Sequence, residues 1–271
     1  MPLSFQPAGE PFNQAQSLQV SHADNIWHIR LNRSSKRNAL SDTMVTELHH
    51  CFASLPATTS AIILDGDGEH FCAGLDLSEL QERNFAEGVR HSRMWHAAFD
   101  QIRNATAPVI AVLNGAVVGG GFELASAAHL RIAEAGTFFA LPEGQRGLFT
   151  GGSGSVHISR LIGVPRMTDM MLTGRSFSAE DAERFGAVNY LVAQGQGFER
   201  AAELAQRIGA NAPLSNYAVM QALPHIVEMS PSQGLFTEAL MASAAQSDDD
   251  AKARMAAFLA GKAAKVKPAA D

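Results

Sequence analysis

At 271 residues, 46% of them hydrophobic and 18% charged, the chain is long enough for one large core or a core with an appendage, and its composition is globular. A formal charge of −6 disfavours a nucleic-acid partner, which needs a basic face; Lys262, Lys265 and Lys267 make only a local basic tail. Two cysteines, Cys51 and Cys72, cannot supply a disulfide framework, and neither a leader peptide nor an 18-residue apolar run is seen, so a soluble cytoplasmic protein without membrane association is expected.

Up to about Gln16 the prolines and absent periodicity predict an irregular arm. Residues 17–31 alternate apolar and polar on both sides of Asp24-Asn25, which predicts a hairpin. Met44, Val45, Leu48, Phe52 and Leu55 recur at helical spacing after a candidate N-cap, Ser41, and Pro56 ends the run. A buried strand over 61–64 follows, then helix over 77–103 interrupted near Gly88, a strand over 109–113, a helix over 120–128, a strand pair over 130–133 and 137–140, and a helix over 154–161. This alternation predicts an α/β core over residues 1–195, including the arm. Residues 196–271 read as a separate helical region, because 198–261 are almost all helix formers broken at Pro213, Pro224 and Pro231.

Glu123 and Glu143 each follow a glycine-rich or proline turn, in Asn114-Gly-Ala-Val-Val-Gly-Gly-Gly-Phe-Glu123 and Phe139-Ala-Leu-Pro-Glu143. Two carboxyl groups converging on one site can give and take a proton on the same substrate. Taken singly, Glu123 is also an ordinary first-turn carboxylate favoured by the helix dipole, and Glu143 an ordinary surface-turn acid. The turns Phe71-Cys-Ala-Gly-Leu-Asp76 and Val118-Gly-Gly-Gly-Phe122 let a ligand approach the backbone, although a glycine triplet alone more often serves tight packing. Metal and nucleotide motifs are missing: there is no His-Glu-x-x-His or Cys-x-x-Cys, and Gly151-Gly-Ser-Gly-Ser155 lacks the lysine and spacing of a phosphate loop.

These blocks, with Leu31-Asn-Arg-Ser-Ser-Lys-Arg-Asn-Ala-Leu40, the run Ala61-Ile-Ile-Leu-Asp-Gly-Asp-Gly-Glu-His-Phe-Cys-Ala-Gly-Leu-Asp-Leu77 and Met171-Leu-Thr-Gly-Arg-Ser-Phe-Ser-Ala-Glu-Asp-Ala182, resemble in order and spacing the crotonase (enoyl-CoA hydratase/isomerase) superfamily from about residue 18 to the C-terminal helix. The resemblance implies a spiral of ββα units followed by C-terminal helices that assemble a homotrimer or a hexamer. It implies an oxyanion hole built from the N–H groups of Leu75 and Gly120, with Glu123 activating water for addition at Cβ and Glu143 delivering the proton to Cα. Retention of both acids favours an enoyl-CoA hydratase over a double-bond isomerase, the alternative; a noncatalytic RNA- or protein-binding member ranks third, against the net charge. The substrate's CoA would meet Arg33, Lys36, Arg37 and the backbone of Cys72 and Ala73, and Phe258, Lys262 and Lys265 match the family's terminal helix, which reaches a neighbouring subunit's ligand. No metal or further cofactor is implied. The acyl pocket is expected from residues 80–99, including Phe85, Met94 and Trp95. The chain departs from the pattern at Ser34, where proline is usual, and at Gln145 and Arg146, where aliphatic residues are more frequent; for Arg146 a structural carboxylate or solvent is the preferred environment, ahead of a substrate contact. Cys72 is expected as a small wall residue and not a nucleophile.

Overall fold

The computed structural model describes residues 3–79 and 82–262, which divide into two compact units meeting in sequence at Gly209 and Ala210. In the first unit the strands are β1 Gln6–Pro7, β2 Leu18–Ala23, β3 Ile26–Leu31, β4 Ala61–Gly66, β5 Val109–Leu113, β6 Ala116–Val118, β7 Leu130–Glu134, β8 Phe138–Ala140, β9 Phe177–Ser178 and β10 Tyr190–Val192. One sheet runs β1-β2-β3-β4-β5-β7-β10 and a smaller one β6-β8-β9. The fold is α/β with a mixed sheet, as expected.

The hairpin of β2 and β3 pairs Leu18 with Leu31 and Ala23 with Ile26, and Asp24 takes the positive φ that its turn requires. From β3 to β10 the pairings are parallel. All six residues of β4 and all five of β5 are buried, which is why both read as continuous apolar runs. The pleat sends alternate residues to opposite faces. Ile62 and Leu64 join Ala111 and Leu113 in the larger core beneath helices α1 Asp42–Ala53, α2 Phe85–Arg103 and α3 Gly120–Ala127. Ala61 and Ile63 join Ile110, Val112 and Ile132 on the other face, where Ala201, Leu204 and Ala205 cover them.

Those three residues belong to a helix, Gly197–Gly209, whose packing on the sheet keeps it with the first unit. The sequence boundary after residue 195 is therefore corrected to Gly209, because helix-forming composition does not reveal what a helix packs against. Three other expectations change. The N-terminal arm contributes a short edge strand, with Gln6 opposite His22 and Pro7 opposite Ser21. Helix α2 runs through Gly88 without a break; it starts at Phe85, where Asn84 and Glu87 form a reciprocal capping box. The strands near 130–133 and 137–140 are not partners: β7 lies between β5 and β10, whereas β8 pairs with β6.

Helix α1 follows its sequence pattern closely. Ser41 Oγ accepts from Met44 N–H at 3.1 Å, and Met44, Val45, Leu48 and Phe52 are buried. In the second unit, Pro213 and Pro231 occupy the starts of Pro213–Tyr217 and Pro231–Ser247, where a missing N–H costs little. That unit is helical among its described residues and exposes Val227, Leu235, Phe236, Leu240 and Leu259.

Candidate active site

Two glycine turns form the floor of the site. In the first, Leu40 N–H donates to Gly74 O at 2.7 Å and Asp76 N–H donates to Leu40 O at 2.9 Å. This bridge uses the groups on either side of Leu75 and turns the N–H of Leu75 away from Leu40. Gly74 makes the turn at φ +90°, and a Cβ there would lie 2.6 Å from Val118 O and 3.3 Å from Gly120 N, so the two turns touch. In the second turn, Gly119 at φ +53° precedes α3, which leaves the N–H of Gly120 at the helix start without an intrahelical acceptor. Leu75 and Gly120 line the same cavity of about 300 Å³ as Glu123 and Glu143.

The first turn is held from behind. Arg33 Nη2 donates to Asp76 Oδ2 at 2.8 Å and its Nη1 to Ala39 O at 2.6 Å; Ser78 Oγ donates to Asp76 Oδ1 at 2.6 Å. Ser78 and Arg33 together hold the Asp76 carboxyl down to about 2, against the opposing effect of burial. Buried Asn38 accepts from Arg33 N–H and donates to Asp67 O and His70 O, fastening the adjoining loop.

Glu123 is buried, on a helix whose eight residues are all buried. Its Oε1 accepts from Gly152 N–H at 2.9 Å and Gly154 N–H at 2.8 Å. Burial pushes its carboxyl up to about 7, and the charge of Glu143 adds to the rise, while the N–H groups of Gly154 and Gly152 oppose it. Glu143 is half-buried, and its Oε2 is a buried atom with no hydrogen-bond partner. Burial raises this carboxyl too, whereas Arg146 pulls it down. Substitution of Gly119 by any larger residue would bring a Cβ to 2.8 Å from Glu143 Oε1.

Helix α2 forms the far wall. The six-membered edge of the Trp95 indole faces Gly120 and Gly152, whose added Cβ atoms would lie 2.7 and 3.1 Å from it. Ser92 Oγ donates to Gly151 O at 2.5 Å and holds the loop that carries the Glu123 donors. Leu77, Leu148 and Phe149 complete an apolar rim, with Arg83, His91 and Arg146 as its cationic or protonatable groups.

The structure brings together Glu123, Glu143, Leu75 and Gly120, and Trp95 joins them from the expected pocket segment; Phe85 is almost fully exposed and is not among the lining residues. Two CoA assignments change. Arg33 is committed to Asp76 and Ala39, and Cys72 is fully buried with its N–H donated to Ala116 O and its O accepting from Val118 N–H. Burial pushes the Cys72 thiol up to about 12, consistent with a packing role. Lys36 and Arg37 are exposed, and Ala73 is half-buried with its N–H donated to Arg37 O. Phe258 and Lys262 are exposed on the second unit; Lys265 lies outside the described residues. The N–H donors of Gly152 and Gly154 escaped sequence reading, although the glycine density of 151–154 was their signal.

Residues 21–267 match the family model described as enoyl-CoA hydratase/isomerase. The short-chain-enoyl-CoA hydratase of Clostridium acetobutylicum is 31% identical, over 85% of this chain and 90% of that protein. A solved structure from Rhodopseudomonas palustris CGA009, assigned as an enoyl-CoA hydratase, superposes with TM-score 0.89 at 52% identity, covering 92% of this chain and 96% of that one. The enoyl-CoA hydratase of Bacillus anthracis superposes with TM-score 0.86 at 30% identity, covering 91% and 97%.

Proposed function

The chain belongs to the enoyl-CoA hydratase/isomerase, or crotonase, superfamily, and on that premise we propose that it adds water across the double bond of a 2-enoyl-CoA thioester. The observation that carries this reading is the meeting of two carboxyls, buried Glu123 and half-buried Glu143, in one cavity that Leu75 and Gly120 also line.

In this reading the thioester oxygen lies between those two N–H groups, which favour the negative charge that develops when a nucleophile adds at Cβ. The α3 dipole adds to the effect of Gly120. Glu123, anchored through Oε1 by two N–H groups, takes the proton of the attacking water as its oxygen bonds to Cβ. The enolate then collapses as Glu143 gives a proton to Cα, so that the elements of one water are added and a 3-hydroxyacyl thioester results. Return of the proton from Glu123 to Glu143 restores the pair. Two raised carboxyls in one cavity let a proton pass between them, and the mechanism draws on the microstate in which Glu123 is ionised and Glu143 protonated. Lys36, Arg37 and the backbone of Ala73 are the proposed contacts for the CoA portion, and Phe258, Lys262 and Lys265 are proposed to reach the ligand of a neighbouring subunit. A homotrimer or dimer of trimers is the proposed assembly, supported by the exposed Leu235, Phe236 and Leu240; light scattering that gives a stable monomer would oppose it.

The test is a panel of 2-enoyl-CoA thioesters followed by loss of conjugated-enoyl absorbance, with the product identified by mass and chromatography. Formation of 3-hydroxyacyl-CoA supports hydration. A shifted double bond without added water would replace this reading with the isomerase, and binding without turnover of any thioester would leave a noncatalytic member.

A further inference from the structure

Three side chains that are or can become cationic line the cavity: Arg83, His91 and Arg146. Asp42 holds the first two, through Arg83 Nη2 at 3.4 Å and His91 Nε2 at 2.7 Å. Arg146 makes no ion pair among the described residues and is exposed, so of the two environments expected from sequence, a structural carboxylate or solvent, the second is the one it has. It closes the turn Gly144–Arg146 that starts immediately after Glu143, and its N–H donates to Glu143 O at 3.0 Å. The backbone thus fixes this guanidinium to the same short turn as one of the two acids.

The remaining rim is apolar, from Leu77, Leu148 and Phe149. All three are substantially exposed, which is the arrangement of a surface waiting to cover a chain of methylene groups. An apolar rim with a guanidinium that sits outside any ion pair among the described residues suits a ligand that is hydrocarbon along its length and anionic at its end. A guanidinium meets a carboxylate through two parallel N–H···O bonds, which no methyl terminus can supply.

We infer that Arg146 is a specificity residue that receives a carboxylate at the distal end of the acyl group, so that the preferred thioesters are mono-CoA esters of dicarboxylic acids. This inference rests on the enoyl-CoA reading above. The influence of Arg146 on the Glu143 carboxyl places its charge within electrostatic reach of the reacting centre. Because the guanidinium is exposed, the discrimination it provides weakens as salt rises.

Binding separates this inference from turnover. Saturated acyl-CoA esters with a methyl or a carboxylate terminus, hexanoyl-CoA against adipoyl-CoA and the same pairing at neighbouring chain lengths, are titrated calorimetrically into the full-length protein. The carboxylated ester should bind about tenfold or more tightly at one of these lengths, and Arg146→Leu should erase the difference while Arg146→Lys keeps part of it. The matched enoyl esters should show the same selectivity in kcat/KM, carried mainly by KM. Equal loss on both esters in Arg146→Leu would assign the guanidinium to the CoA portion and overturn the inference, as would a wild-type preference for the methyl terminus. Tight, selective binding without hydration would retain the inference and remove the hydratase reading; failure of every acyl-CoA to bind would remove both. Thermal melting of each variant identifies a fold defect, and intact Arg146→Leu protein with unaltered selectivity returns Arg146 to solvent.

Discussion

Replacement of Glu123 by glutamine should abolish most activity and, above neutral pH, stabilise the fold. The native carboxyl is pushed from its ordinary 4.5 up to about 7, chiefly because it is buried. A carboxyl raised on folding contributes its full stability only below about pH 4.5, where both folded and unfolded chains carry it protonated; that contribution is lost as pH rises through 7. With 1.36 kcal/mol for each pKa unit, ionisation of this group costs the native state on the order of 3 kcal/mol by pH 8. Glutamine does not ionise, and its amide oxygen can accept from Gly152 and Gly154 as Glu123 Oε1 does. Urea unfolding of wild type and Glu123→Gln, at equal protein concentration, should therefore give similar free energies near pH 5 and a more stable variant at pH 8, by about 2–3 kcal/mol. Turnover of the best enoyl-CoA should fall by about 10² or more, the scale of a lost general base. A stability difference that does not change between the two pH values would refute the upshifted carboxyl, and near-normal turnover would remove Glu123 from the mechanism.

Glu143→Gln should lower hydration by about 10² or more with acyl-CoA binding retained, measured by steady-state kinetics and calorimetry. Loss with this variant alone, and not with Glu123→Gln, would favour double-bond migration. Gly119→Ala meets a double obstacle, φ +53° and a Cβ at 2.8 Å from Glu143 Oε1, and should cost about 1–3 kcal/mol in urea melts together with at least tenfold in kcat. Cys51 and Cys72 are buried, with thiols pushed up to about 12, so neither should alkylate with iodoacetamide at pH 8 until the chain is unfolded, as read by intact mass.

The hairpin, α1 and the buried strands were legible because their signals are local: a turn dipeptide, a cap and a period. Gly88 misleads because one glycine weakens a helix by only about 1 kcal/mol, whereas the Asn84–Glu87 capping box fixes the start. The separation of β7 from β8 was hidden because Ala135-Gly136 reads as a hairpin turn, while the actual partners β5, β6 and β10 are distant in the chain. Glu123 and Glu143 were visible through the resemblance and ambiguous without it, since each sits where an acid is unremarkable. The resemblance and the charge of Arg33 both point to CoA; its pairing with buried Asp76 depends on two loops meeting, which neither loop announces.

Helix α3 is buried along its entire length, whereas the Gly144–Arg146 turn and Leu148 and Phe149 beside it are exposed. Glu123 is thus mounted on a part that no neighbour can release without disturbing the core, and the rim is a replaceable face fastened to it. On the proposed reading, exchange of residues 144–149 alone should transplant acyl preference between relatives while leaving Glu123 in register, whereas substitution within buried α3 has no such freedom. On the hydration reading proposed above, new substrates would be reached through the exposed edge, while the buried helix that carries Glu123 would hold the chemistry constant.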